Sequence, residues 1–333
     1  MSAPAALAYG YARARARKSR VIPAAVLVGL VTADQPALTI PGWRDVENDH
    51  DAAALVSLLY ARLIDDYVTM IRAYPAARGV LLALARLHEL ENVKLAWRAA
   101  LGSVPPAEWR DCWRPMGALE TISRTACEAT SSPRHVGRAS VGTPYEAIAK
   151  AVSSAHPGDL AAAEIAFDRW GSRELANATR ALSESESAAR DLVWRVLRER
   201  DIALMERAVG PLGLPPESAV RMTAILADEL GAAGIHRFAE WSAESGALMP
   251  LPPRITGSRS PVRTFAEVLS RMRASRRKAC RRVFLGPPFC LAPPIALVLL
   301  REDEVRGLSS IAELRARRAP ADVAARVLDL DGY

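Results

Sequence analysis

Between residues 51 and 74 the apolar side chains Leu55, Leu59, Leu63, Tyr67, Met70, Ile71 and Tyr74 recur every three or four positions, with polar or charged residues between them. That spacing keeps one stripe of a helix apolar and predicts an amphipathic helix with a single buried face. Pro75 and Gly79 interrupt the pattern, which resumes over 80–101 through Leu84, Leu87, Val93 and Trp97 until Gly102 and Pro105-Pro106 stop it. Two helices joined by so short a turn are expected to pack antiparallel. The same reading places helices at 107–129, 144–155, 158–184, 186–209 and 216–246, an amphipathic one at 261–282, and a long one at 293–318 with Gly307 inside it. Ser, Pro and Gly are concentrated at 130–144 and 247–261, which marks both as linkers. The units they separate are 1–130, 131–247 and 248–333, the last open to sharing with the N-terminal segment. Only 19–42, rich in Val, Ile, Thr and Pro, resists a helical reading.

Composition agrees with an all-α class. Half of the 333 residues are apolar but only 6% are aromatic, and Ala, Leu and Arg dominate, a mixture of helix formers. Charge is less simple. The net +7 invites a nucleic-acid reading, but residues 1–20 hold five cations and residues 271–282 hold seven, neither with an acid. Those twelve charges exceed the total, so the rest of the chain is net −5. Nucleic-acid binding is therefore not expected. In the second strip Arg273, Arg277 and Arg281 stand at i, i+4 and i+8, one face of a helix suited to acidic lipid headgroups or an acidic partner.

A signature recurs along the chain. Glu91-Asn92-Val93-Lys94 aligns with Arg200-Asp201-Ile202-Ala203 and with Asp303-Glu304-Val305-Arg306, at separations of 109 and 103 residues. Each copy follows an aliphatic run: Leu81-Leu82-Ala83-Leu84, Leu192-Val193-Trp194 and Leu297-Val298-Leu299-Leu300. Each precedes a proline and an acid: Pro106 with Glu108, Pro216 with Glu217, Pro320 with Asp322. Proline suits a first helical turn because its missing N–H has no partner there, and the acid complements the helix dipole. The repeated unit reads as a helix buried in its first half and wetter in its second, followed by a proline-started helix. The third copy differs, with Gly307 and Ser310 where the others have Leu95 or Leu204 and Arg98 or Arg207.

The run Leu300-Arg301-Glu302-Asp303-Glu304-Val305-Arg306-Gly307-Leu308, preceded by Pro293-Pro294-Ile295-Ala296, resembles the C-terminal signature of the C/d subunit of V-type and A-type rotary ATPases. Tyr9-Gly10-Tyr11-Ala12-Arg13 and the alternating Ala-Arg run to Arg17 are similar to that family's opening, and Glu89-Leu90-Glu91-Asn92-Val93-Lys94 to its first internal motif. The resemblance implies a funnel-shaped protein of three pseudo-equivalent helical-bundle units around a central axis. It implies a non-catalytic rotor subunit, cytoplasmic and peripheral to the membrane, that joins the central stalk to the proteolipid ring. ATP hydrolysis and proton or sodium passage would belong to other subunits, with no cofactor and no small-molecule substrate here. A generic helical-repeat scaffold is the alternative reading, and a nucleic-acid-binding protein ranks behind it.

On that reading the polar helix ends Glu89, Glu91, Asn92, Lys94, Glu199, Arg200, Asp201, Glu302, Asp303, Glu304 and Arg306 are candidates to face the stalk or the rim of its socket. No catalytic or metal-ligand pattern accompanies them. Nucleotide-binding and hydrolase motifs are missing from the sequence, the five His are scattered singly, and Cys112, Cys127, Cys280 and Cys290 have no metal-like spacing. Adjacent Asp65 and Asp66 project about 100° apart on a helix and are not expected to share a substrate. Val21–Leu30 and Leu291–Leu300 are apolar but interrupted by proline and short of the ~20 residues that span a bilayer.

Overall fold

The computed structural model describes residues 3–22, 26, 30, 52–128, 132–210, 212–245 and 264–316. Among these residues the fold is all-helical, without a strand. The α-helices are α1 (Ala3–Lys18), α2 (Ala52–Ala73), α3 (Arg78–Ala100), α4 (Pro106–Asp111), α5 (Arg124–Glu128), α6 (Pro133–Ala139) and α7 (Glu146–Ala155). They continue as α8 (Leu160–Arg180), α9 (Ser187–Val209), α10 (Pro216–Arg221), α11 (Leu226–Ser245), α12 (Phe265–Val283) and α13 (Ala292–Ala316).

The long helices form three hairpins, α2–α3, α8–α9 and α12–α13. Pro75 starts a 3₁₀ turn in the first, and Glu184–Glu186 forms another in the second. Side-chain oxygens start α8 and α12: Asp159 accepts from the Ala162 amide at 3.0 Å, and Thr264 from the Glu267 amide at 3.2 Å. The hairpins pack in a cycle: α2 lies against α13, α8 against α3, and α12 against α9. α1 fits between α2 and α13, where Gly10 has no room for a side chain because a Cβ would stand 2.6 Å from the Tyr74 ring.

One large apolar cluster gathers the first halves of the three second helices, through Leu81, Leu84, Leu192, Val193, Leu197, Leu297, Val298 and Leu299, together with Leu63 and Tyr67 of α2. Burying each such aliphatic side chain contributes about 1.5–3 kcal/mol relative to exposure. Two smaller clusters lie beside the second halves. One surrounds Trp97, Phe167 and Tyr145; the other surrounds Ile202, Met205, Val220 and Val268.

The single helix expected at 107–129 is instead α4, a 3₁₀ turn at Gly117–Leu119, and α5. Pro115 has no N–H to give a helix, and Gly117 takes φ +50. The helix expected at 216–246 is likewise split into α10 and α11, and α11 itself kinks at Gly231, with φ 65 and ψ 174. The first expected linker contains a helix, α6, started by Pro133. Most of 19–42, all of 247–261, and Pro320 with Asp322 lie outside the described residues. Among the described residues no helix is long and apolar enough to cross a membrane.

Candidate partner-binding cavity

The repeated signature does two separate jobs. In the first copy the Asn92 amide donates to the Arg114 carbonyl at 2.8 Å and accepts from the Arg114 amide at 2.9 Å. In the second copy Asp201 accepts from the backbone amides of Ala224, Ile225 and Leu226 at 2.8–2.9 Å. Both clamp the segment that follows the short proline-started helix, α4 or α10, 22 to 25 residues downstream. In the third copy Glu304 accepts from the Ile22 amide at 3.3 Å, so it holds the N-terminal segment. Each side chain suits the backbone groups it holds, since the Asn92 amide meets one donor and one acceptor, while the Asp201 carboxylate meets donors only.

Glu89, Asn92, Asp201, Asp303 and Glu304 are consequently buried fastenings. Glu89 accepts from the amides of Thr121 and Ile122 and from the hydroxyls of Thr121 and Tyr145. The expectation that the second halves are wetter needs amending. They are polar, but Glu89, Asn92, Lys94 and Asp201 are each at most 2% exposed, because every one of them has a partner.

Three charged fastenings bind the long helices to one another. Asp168 on α8 accepts from Lys94 on α3 at 3.0 Å and pairs with Arg200 and Arg207 on α9. Arg276 on α12 donates to Glu199 on α9 at 2.8 Å and to both oxygens of Asp303 on α13, at 2.8 and 3.1 Å. Arg301 on α13 donates to Asp66 on α2 at 2.8 Å, to Glu304, and to the Arg20 carbonyl. Asp65 and Asp66 do converge on one group, the Arg17 guanidinium of α1. Tyr67 donates to Glu302, which also pairs with His88 at 2.9 Å.

These contacts set the titration of the carboxyls. Burial is the largest influence on Asp168 and pushes it up, but Lys94, Arg200 and Arg207 overcome that and hold it below the usual value. Glu91 behaves alike beside Lys94 and Arg114, as does Glu302 beside His88, Tyr67 and Arg276. Asp201 and Glu304 go the other way: burial raises them in spite of their hydrogen bonds.

A cavity of about 830 Å³ is lined by residues of α2, α3, α8, α9, α12 and α13. At the register that aligns Asn92, Asp201 and Glu304, the residues two positions on are Lys94, Ala203 and Arg306, and six positions on Arg98, Arg207 and Ser310; all six line it. Of the candidates named from sequence, Glu91, Lys94, Glu199, Arg200, Glu302 and Arg306 also face it. The basic strip is divided by its own helix. Arg273 lines the cavity, Arg277 is buried, and Arg281 is exposed beside exposed Arg282 and Lys278.

Several lining residues carried no signal in the sequence. Arg114, Tyr60 and Trp113 reach the wall from other elements, and Arg114 depends on the Asn92 clamp for its place. Among the described residues no group of three or more His, Cys, Asp or Glu is arranged to hold a metal ion. No protein-family model matches the chain, and no curated protein matches it.

Proposed function

We propose that the chain is a non-catalytic coupling subunit of a V-type or A-type rotary ATPase. Its three hairpins act as pseudo-equivalent units around a central axis, the cavity receives the central stalk, and the opposite end rests on the proteolipid ring. Torque for ATP-linked proton or sodium transport then passes through the packed body, whose crystal-like interior deforms little under load. The observation that carries this reading is the convergence of register-equivalent positions from three signature helices on one cavity. The resemblance of the motifs at both chain ends supports the family.

A second reading has an observation of its own. Asn92, Asp201 and Glu304, the aligned residues of the signature, are spent on holding backbone. A helical-repeat scaffold needs that device whether or not it meets an ATPase. Affinity purification of the tagged full chain from its own cell membranes separates the two. Recovery of central-stalk and proteolipid subunits supports the rotary reading; a complex without either supports the scaffold.

A further inference from the structure

Three guanidinium groups on the cavity wall lack a carboxylate to themselves. Arg273 makes no ion pair or hydrogen bond among the described residues; burial lowers its pKa and Arg306 and Arg276 lower it further, against the opposing pull of Glu199 and Asp303, which are already bonded to Arg276. Arg114 stacks over the Tyr60 ring, 5.0 Å from its centroid, and makes no ion pair among the described residues. Arg306 is half-exposed and 3.7 Å from Asp303, whose carboxylate already takes two hydrogen bonds from Arg276. All three line the one cavity. The Tyr60 phenol feels both Arg114 and Arg306, and Arg306 in turn opposes Arg273.

Four of the six acids of the same wall are committed elsewhere. Glu91 is paired to Lys94, Asp168 to Lys94, Arg200 and Arg207, Glu199 to Arg276, and Glu302 to His88. The other two lining acids, Asp111 and Glu313, are exposed and act together on Cys112. The cavity therefore has uncommitted positive charge on its wall and uncommitted negative charge at this second place.

Size narrows the occupant. A helix with its side chains is about 10–12 Å across and rises about 5.4 Å per turn, so each turn occupies roughly 500 Å³. The cavity holds between one and two such turns, far more than one small anion fills. Arginine presents a planar fork that matches a carboxylate with two parallel hydrogen bonds.

We propose that the cavity is a receptor for the acidic tip of a polypeptide helix, whose carboxylates seat on Arg114, Arg273 and Arg306. This rests on the rotary reading only for the name of the partner; the charge and volume stand without it. Removing two of the three seats should weaken such a ligand by about ten-fold or more, since hydrogen bonds to charged groups are the stronger kind.

The test measures anisotropy of a fluorescent helical peptide ending in three glutamates, against the same peptide ending in three glutamines. The full chain is compared with Arg306→Gln and with Arg273→Gln/Arg306→Gln, each checked for native helicity and melting temperature. Expected is about ten-fold tighter binding of the glutamate peptide by the parent chain, weakened in Arg306→Gln and abolished in the double variant. Equal binding of both peptides, or full binding by a folded double variant, overturns the receptor. Displacement of the peptide by inorganic phosphate at an equal concentration also overturns it, in favour of a small anion. The two proposals fail separately. A double variant that still recovers stalk subunits at the parent yield sinks the receptor alone. A parent chain that binds the glutamate peptide but recovers no stalk or ring subunit sinks the rotary reading alone.

Discussion

The first halves of α3, α9 and α13 meet in one apolar cluster, whereas their second halves combine apolar faces with buried charged and polar fastenings. In the first halves Leu81, Leu84, Leu192, Val193, Leu297 and Val298 share one apolar cluster. In the second halves Lys94, Asp201 and Asp303 are buried only because Asp168, three backbone amides and Arg276 meet them. Apolar contact is non-directional and roughly proportional to area, so the first halves supply cohesion. A buried ion pair adds little net stability against a well-packed apolar substitute, yet breaking it is costly. The second halves therefore hold a geometry, the separation of three helices around a space, that a plain aliphatic core would close.

Breaking the charged half is expected to have the largest effect. Arg276→Met leaves Glu199 buried and unpaired and Asp303 with only the long contact to Arg306, and chemical denaturation should show a loss of about 3–5 kcal/mol. Replacing Glu199 and Asp303 by leucine as well should restore much of it, at the expense of the cavity. Leu297→Ala, fully buried in the aliphatic half, should cost about 2–5 kcal/mol through lost contact and the space left behind. Exchanging the chemistry of the two backbone clamps ranks next. Asn92→Asp sets an oxygen against the Arg114 carbonyl, and Asp201→Asn sets an amide N–H against backbone donors; each should lose about 1–3 kcal/mol in the same assay.

Acid acts on the charged half alone. Glu91, Asp168 and Glu302 have folded pKa values below the ordinary 4.5, 3.8 and 4.5. Their contribution is complete above those ordinary values and is lost as pH falls through the lower folded ones. Asp201 and Glu304 are raised, so the cost of keeping them ionised is relieved as pH falls through their folded values, which opposes the loss. Urea midpoints taken from neutral pH to about pH 3 should fall, and Asp168→Asn should flatten that fall. At the small end, Arg306→Gln should leave the urea midpoint within about 0.5 kcal/mol of the parent, because its pair is long and half in water.

The long helices were legible because they obey one period: the stripe read at 51–74 is α2, and the turn at Pro75 is where the chain reverses. The segments after each signature helix were not. Their shape at 112–116 and 222–225 is set by Asn92 and Asp201, contacts more than twenty residues away that no local pattern encodes. The same cause hid the inward use of Glu89 and Asn92. A charged residue near a helix end looks like a solvent-facing one until its tertiary partner is known. Arg273, Arg277 and Arg281 share a helical face in sequence, but that face runs from the cavity through the interior to the surface.

Site-directed photo-crosslinking in the assembled state tests most directly that the space between the three second halves is a socket. A photoreactive residue is placed at Ser309 or Ser310, which line the cavity, and at Lys150, which is exposed on α7. The account predicts a single crosslinked partner polypeptide from both cavity positions, identified as the central-stalk subunit, and none of that product from Lys150. Crosslinking to the stalk from Lys150 with silence at both cavity positions would contradict it.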